Sequence, residues 1–206
     1  MKVFTPRKLE KENSIFAFGT MSTVYWDFAL LMEKQASLEF ESEFKPIKSF
    51  FVFPAIIFFC AAFEALLNEG LSRELLYERK DKEELENIKD GKGKYKDLVK
   101  RIKASGKILD RDNVGKVDEN ILQEFKALSE LRNAIIHYNP HFGGIFQWSS
   151  KLISTFERSK VEAIEGDWTE TFRRKEILSW SKETIQNIVK VFLHFQRIEE
   201  NDFFGE

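Results

Sequence analysis

This 206-residue chain has a single cysteine, Cys60, which excludes an internal disulfide framework and suits a reducing compartment. Cys60 stands inside an apolar run and is expected to serve as core. The sequence holds no Cys-x-x-Cys, no His-Glu-x-x-His and no Gly-x-Ser-x-Gly, so the usual zinc and nucleophile-elbow chemistries find no motif. Gly91 and Gly93 fit no phosphate-loop pattern. His137 and His141 are four apart, but Pro140 between them spoils a helical metal pair. No metal and no cofactor is therefore expected. The opening residues Met1 to Lys8 turn polar before an apolar run can form, so no secretory signal is expected. From Phe50 to Phe63 no residue is charged, but Glu64 ends that run short of the roughly 18 residues a membrane span needs. A buried helix in a cytoplasmic protein, with no membrane partner, is the expectation.

What is present is apolar volume and charge. Hydrophobic residues make up 43% of the chain and charged residues 32%, with 21 phenylalanines, which marks a folding sequence with a Phe-rich core. A single domain over 1–206 accommodates this length. The net charge of -2 gives no overall attraction to nucleic acid, yet the charges are segregated. Asp81 to Asp90 is acid-rich. Gly91 to Lys107 then holds Lys92, Lys94, Lys96, Lys100, Arg101, Lys103 and Lys107 against the single acid Asp97.

Periodicity predicts helices. Ser22 to Glu43 has apolar residues near helical spacing and is closed by Pro46. Phe50 to about Lys80 reads as a second helix, with Pro54 in its first turn and Gly70 as a point of interruption. A short helix over Tyr95 to Ala104 should end at Ser105-Gly106, followed by a loop from Asp110 to Gly115. Val117 to His137 repeats apolar residues at Ile121, Phe125, Leu128 and Ile135, and Arg132 falls on the same stripe. Alternation around Glu165-Gly166-Asp167 suggests a small β-hairpin. Trp180 to about Ile198 is the closing helix, with Ser179 or Ser181 as N-cap. The fold class is all-α, an antiparallel helical bundle, with that hairpin inserted before the last helix.

Chemistry concentrates in Glu130-Leu131-Arg132-Asn133-Ala134-Ile135-Ile136-His137-Tyr138. Five helical steps turn by about 140°, so Arg132 and His137 cannot converge within one regular helix. Pro140 disfavours helix at Asn139, which puts His137 in the last turn with its ring free to swing beyond the end. Asn133, four residues back, can reach it. A helix C-terminus favours a cationic imidazole, and a group titrating near neutrality can take and give a proton. Arg132 carries a permanent, planar, phosphate-matching charge on an apolar stripe, so it needs a partner, a cleft or an interface. Glu64 and Glu130 are the candidate supporting acids.

This segment resembles the Arg-x4-6-His signature of the HEPN superfamily, in the Arg-Asn-x-x-x-His form seen in the RNA-cleaving domains of type VI CRISPR nucleases and in small toxin and phage-defence proteins. The order of a long apolar helix, the motif helix and a closing helix is also similar. The resemblance implies a HEPN-type bundle and a metal-independent endoribonuclease. In it His137 moves protons, Arg132 stabilises the transition state and Asn133 orients the groups. It also implies a homodimer with a composite site, RNA as partner, and a toxin or defence role with a cognate antitoxin or regulator. In one toxin subgroup a tyrosine stands two residues after the histidine; here Tyr138 follows directly, so that subgroup's regulation is not implied. Lys92, Lys94 and Lys96 could bind RNA phosphates, with Tyr95 or Tyr138 stacking on bases, or the run could be a solvated helix face. The alternative for the whole chain is a non-catalytic helical module binding a nucleotide or protein partner, with Arg132 in a structural ion pair.

Overall fold

The computed structural model describes residues 21–41, 51–76, 82–110, 116–136, 153–154, 156–157 and 175–205. Among them the chain is helical, with no strand: α1 Met21–Glu41, α2 Val52–Leu76, α3 Lys82–Lys89, a 3₁₀ turn Gly93–Lys96, α4 Leu98–Leu109, α5 Glu119–Ile136, α6 Lys175–Gln196 and α7 Glu200–Phe204. The all-α class is thus found. The hairpin expected around 165–167 lies outside the described residues, and nearby Ile153, Ser154, Phe156 and Glu157 are helical.

α2 is the central helix, in contact with α1, α3, α4, α5 and α6. Its length and composition would let it cross a membrane, with a mean hydropathy of 1.6 over its most apolar window; Glu64 interrupts the uncharged run without making the helix polar. Half of that window is buried inside the fold, which accounts for the apolarity as core. Phe63 shows how the core is tied: its ring meets Phe125 of α5 edge-on at 4.7 Å and Phe192 of α6 at 5.3 Å, the edge-to-face arrangement that the ring quadrupole favours.

Polar contacts set the directions. Ser22 donates both its backbone N–H (3.1 Å) and its hydroxyl (2.7 Å) to the Glu69 carboxylate, placing a negative charge at the electropositive start of α1. With Tyr25 and Phe28 packing on Phe58, α1 and α2 run antiparallel. Lys182 reaches back from α6 to Glu33 on α1 at 2.8 Å. α2 and α6 run in the same direction, since Phe63 meets Phe192 and, further along, Arg73 donates to Gln196.

Several boundaries differ from the sequence reading. Asp97 caps α4 by accepting from the Lys100 N–H at 2.9 Å, and α4 runs through Ser105 and Gly106 instead of ending there. Ser105 returns its hydroxyl to the Arg101 carbonyl at 2.9 Å, and Ser105 and Gly106 are buried. A Cβ on Gly106 would sit 3.3 Å from Phe195 and 3.4 Å from Val117, so this glycine allows close approach of α6. Gly70 likewise lies within an unbroken α2, where a Cβ would stand 2.8 Å from the Gln196 side chain. α6 begins at Lys175, so neither Ser179 nor Ser181 is its N-cap; Ser181 is buried mid-helix and donates to the Ile177 carbonyl at 2.7 Å. A short α7 then places Phe203 and Phe204 on Trp26. Gly106→Val is expected to destabilise the fold by about 2 kcal/mol through overpacking, measured as a lower urea midpoint at unchanged slope; a midpoint within error of wild type would show that α6 yields.

Candidate functional site

α5 starts after Asp118, whose carboxylate accepts from the Asn120 N–H at 2.7 Å, an N-cap that fixes the register of the helix. Leu122, Phe125, Leu128 and Leu131 are fully buried along it, while Ile121 and Ile135 are half-buried. Arg132 stands on this core-facing side in the last described turn. Its Nη2 donates to Glu64 Oε1 at 2.7 Å and its Nη1 to Asn133 Oδ1 at 2.9 Å. Glu64, and not Glu130, is therefore its acid among the described residues. The two side chains retain 23% (Arg132) and 34% (Glu64) exposure, so the pair is set in the surface and not sealed within it.

His137 and Tyr138 follow directly on the last described residue of α5 and lie outside the described residues, as does any contact between Asn133 and His137. Asn133 itself is exposed and turned onto the guanidinium.

Glu64 also lies in the electrostatic field of a second arginine. Arg101, in the first turns of α4, donates from Nε to the Ile88 carbonyl at 2.9 Å and from Nη2 to Lys89 O at 2.6 Å and Asn68 Oδ1 at 2.8 Å. It thus clamps the electronegative end of α3 onto α2, where Asn68 lies one turn beyond Glu64. Burial lowers its pKa, while Glu64 and Asp90 act to raise it. Arg101 was counted in the sequence with the basic run, yet it turns inward. Its signal was positional: it shares a face of α4 with buried Ile102, Ser105 and Leu109.

The basic segment is distributed differently from its sequence. Lys92 pairs with Asp90 at 2.7 Å, and Lys94 approaches Glu84 at 3.6 Å while lying 4.9 Å from the centre of the Tyr95 ring. Tyr95 is buried and donates to Glu84 at 2.6 Å, so it is corrected from a base-stacking candidate to a packing residue. Lys103 pairs with Glu119 at 2.7 Å. Lys96 is exposed with no ion-pair partner among the described residues.

Cys60 lies one turn before Glu64 on α2. Burial pushes its thiol up to about 12, with Arg132 lowering and Glu64 raising it to lesser degrees, which leaves it protonated and unreactive at neutral pH. Among the described residues no group of three His, Cys, Asp or Glu side chains could hold a metal ion.

No family model, curated protein or solved structure matches the chain. Its functional reading therefore stands on the motif and on the residues around Arg132.

Proposed function

We propose that this protein is a metal-independent endoribonuclease of the HEPN type, acting in the cytoplasm as a toxin or phage-defence effector under a cognate antitoxin or regulator. The observation that carries the reading is the Arg132 guanidinium, oriented near the end of α5 by Glu64 and Asn133, five residues before His137 in the chain. Of the five N–H donors of a guanidinium, two are engaged among the described residues, and a phosphate would take others. His137 takes the proton of an RNA 2′-OH, whose oxygen attacks the adjacent phosphorus. The bond to the 5′-oxygen breaks and that oxygen receives a proton, giving a cyclic phosphate and a free hydroxyl. Arg132 stabilises the charge gathering on the phosphoryl oxygens. A two-fold pairing of α5 ends would set two such motifs around one cleft.

The Glu64 pair also favours a second reading, a non-catalytic module binding a nucleotide or protein partner, in which Arg132 is already neutralised. Cleavage of mixed-sequence single-stranded RNA in EDTA by wild type and His137→Ala, matched in folding by circular dichroism, separates the two. The ribonuclease reading expects a loss of about 100-fold or more in the variant. Equal cleavage by both would remove His137 from the chemistry, and an inactive wild type would favour the binding module.

A further inference from the structure

Glu64 and Asn68 stand one turn apart on α2, where residues four positions apart are neighbours. Each holds an arginine brought in by another helix: Glu64 accepts from Arg132 of α5 at 2.7 Å, and Asn68 accepts from Arg101 of α4 at 2.8 Å. The two arginines differ in what answers their charge. Arg132 is paired with a carboxylate. Arg101 spends its bonds on neutral oxygens, Ile88 O, Lys89 O and Asn68 Oδ1, and touches no carboxylate among the described residues.

A guanidinium that closes the last carbonyls of a helix is in general a packing device, and the carbonyl end of α3 answers part of the charge of Arg101. The remainder falls on nearby acids. Of these, Glu64 acts on Arg101 most strongly and Asp90 next, but Asp90 is already paired with Lys92 at 2.7 Å. Glu64 therefore serves two guanidinium groups with one carboxylate, and the three side chains together keep a net positive charge.

We propose that Arg101 is a positioning residue of the Arg132 site: tied beside Glu64 through Asn68, it draws on the carboxylate's single negative charge and so leaves Arg132 with charge to offer a phosphate. Without Arg101 the Arg132–Glu64 pair would close on itself, as in the non-catalytic reading. With Arg101 in place, Glu64 orients Arg132 without cancelling it, and a phosphate arriving at Arg132 meets a cluster that is short of one anion. The anion site needs only the described residues; its use in cleavage rests on the ribonuclease reading.

Inorganic phosphate is the probe, on the full chain, and the readout is the concentration at which it halves the rate of phenylglyoxal modification of Arg132, followed by mass spectrometry of the peptide. Variants are matched to wild type in folding by circular dichroism. Arg101→Gln should raise that concentration at least about 5-fold. Arg101→Lys, which keeps the charge but not the planar fork, should stay within about 2-fold of wild type. In a Glu64→Gln background, where no carboxylate is shared, the effect of Arg101→Gln should shrink to about 2-fold or less. Should Arg101→Gln not fold, Asn68→Ala, which leaves Arg101 on α3 but releases it from α2, takes its place with an expected rise of at least about 3-fold. The proposal is overturned by a wild type whose Arg132 phosphate does not protect, or by an Arg101→Gln protected as well as wild type. An equal loss in Arg101→Lys and Arg101→Gln would make Arg101 a structural clamp, and an equal loss with and without Glu64 would remove the route through that carboxylate; either overturns it. None of these readouts uses RNA. A protected wild type that cuts no RNA would sink the ribonuclease reading alone, and His137-dependent cleavage without phosphate protection would sink this proposal alone.

Discussion

Arg132→Ala is expected to lower RNA cleavage about 100-fold or more while costing the fold about 1 kcal/mol or less. The two numbers come from different physics. Phosphoryl transfer gathers charge on non-bridging oxygens, and a preoriented guanidinium stabilises that charge where water is displaced. Stability gains little from the same side chain, because Arg132 and Glu64 keep 23% and 34% of their side-chain surface and solvent screens the pair. Nor does the substitution strand Glu64, which remains under the field of Arg101. Arg132→Lys should recover little activity, since an ammonium cannot hold Glu64, Asn133 and a phosphate in one plane. Cleavage assays beside thermal unfolding decide the matter. A large drop in melting temperature with unchanged cleavage would make the Arg132–Glu64 pair structural and sink its catalytic role.

Phe63→Ala is expected to be the most damaging single truncation in the core, at about 3–5 kcal/mol. The ring is buried and ties three helices, α2 through its own backbone, α5 through Phe125 and α6 through Phe192. Truncation loses the transfer energy of the ring, leaves a cavity among other large rings that cannot all collapse into it, and removes two edge-to-face contacts. Against a total stability of about 5–15 kcal/mol for a domain, that is a large share. Phe63→Leu keeps most of the volume and should cost about 1–2 kcal/mol. Urea unfolding of both variants gives the comparison; a loss under about 1 kcal/mol for Phe63→Ala would show that this core repacks freely.

The helical class and the positions of α1, α2 and α5 were legible in the sequence, because an amphipathic period is a local property and survives any packing arrangement. So was the need of Arg132 for a partner, since a charge on an apolar stripe cannot stand alone. The choice between Glu64 and Glu130 was not. Glu130 shares the helix with Arg132, whereas Glu64 is brought in from α2 by the packing around Phe63 and Phe125. Gly70 and Gly106 looked like breaks because glycine lowers helix propensity. Both stay within unbroken helices, and glycine stands there because Gln196, Phe195 and Val117 occupy the space a side chain would need. Arg101 read as one more base in a run, and only the carbonyl ends of α3 and the Asn68 amide show why it turns inward. The sequence by itself determined which segments are helical and which of their faces are apolar, since both follow from spacing along the chain. Tertiary structure alone decided which charges meet, because a contact between residues 68 positions apart depends on how helices stack, and many sequences with the same periods would stack otherwise.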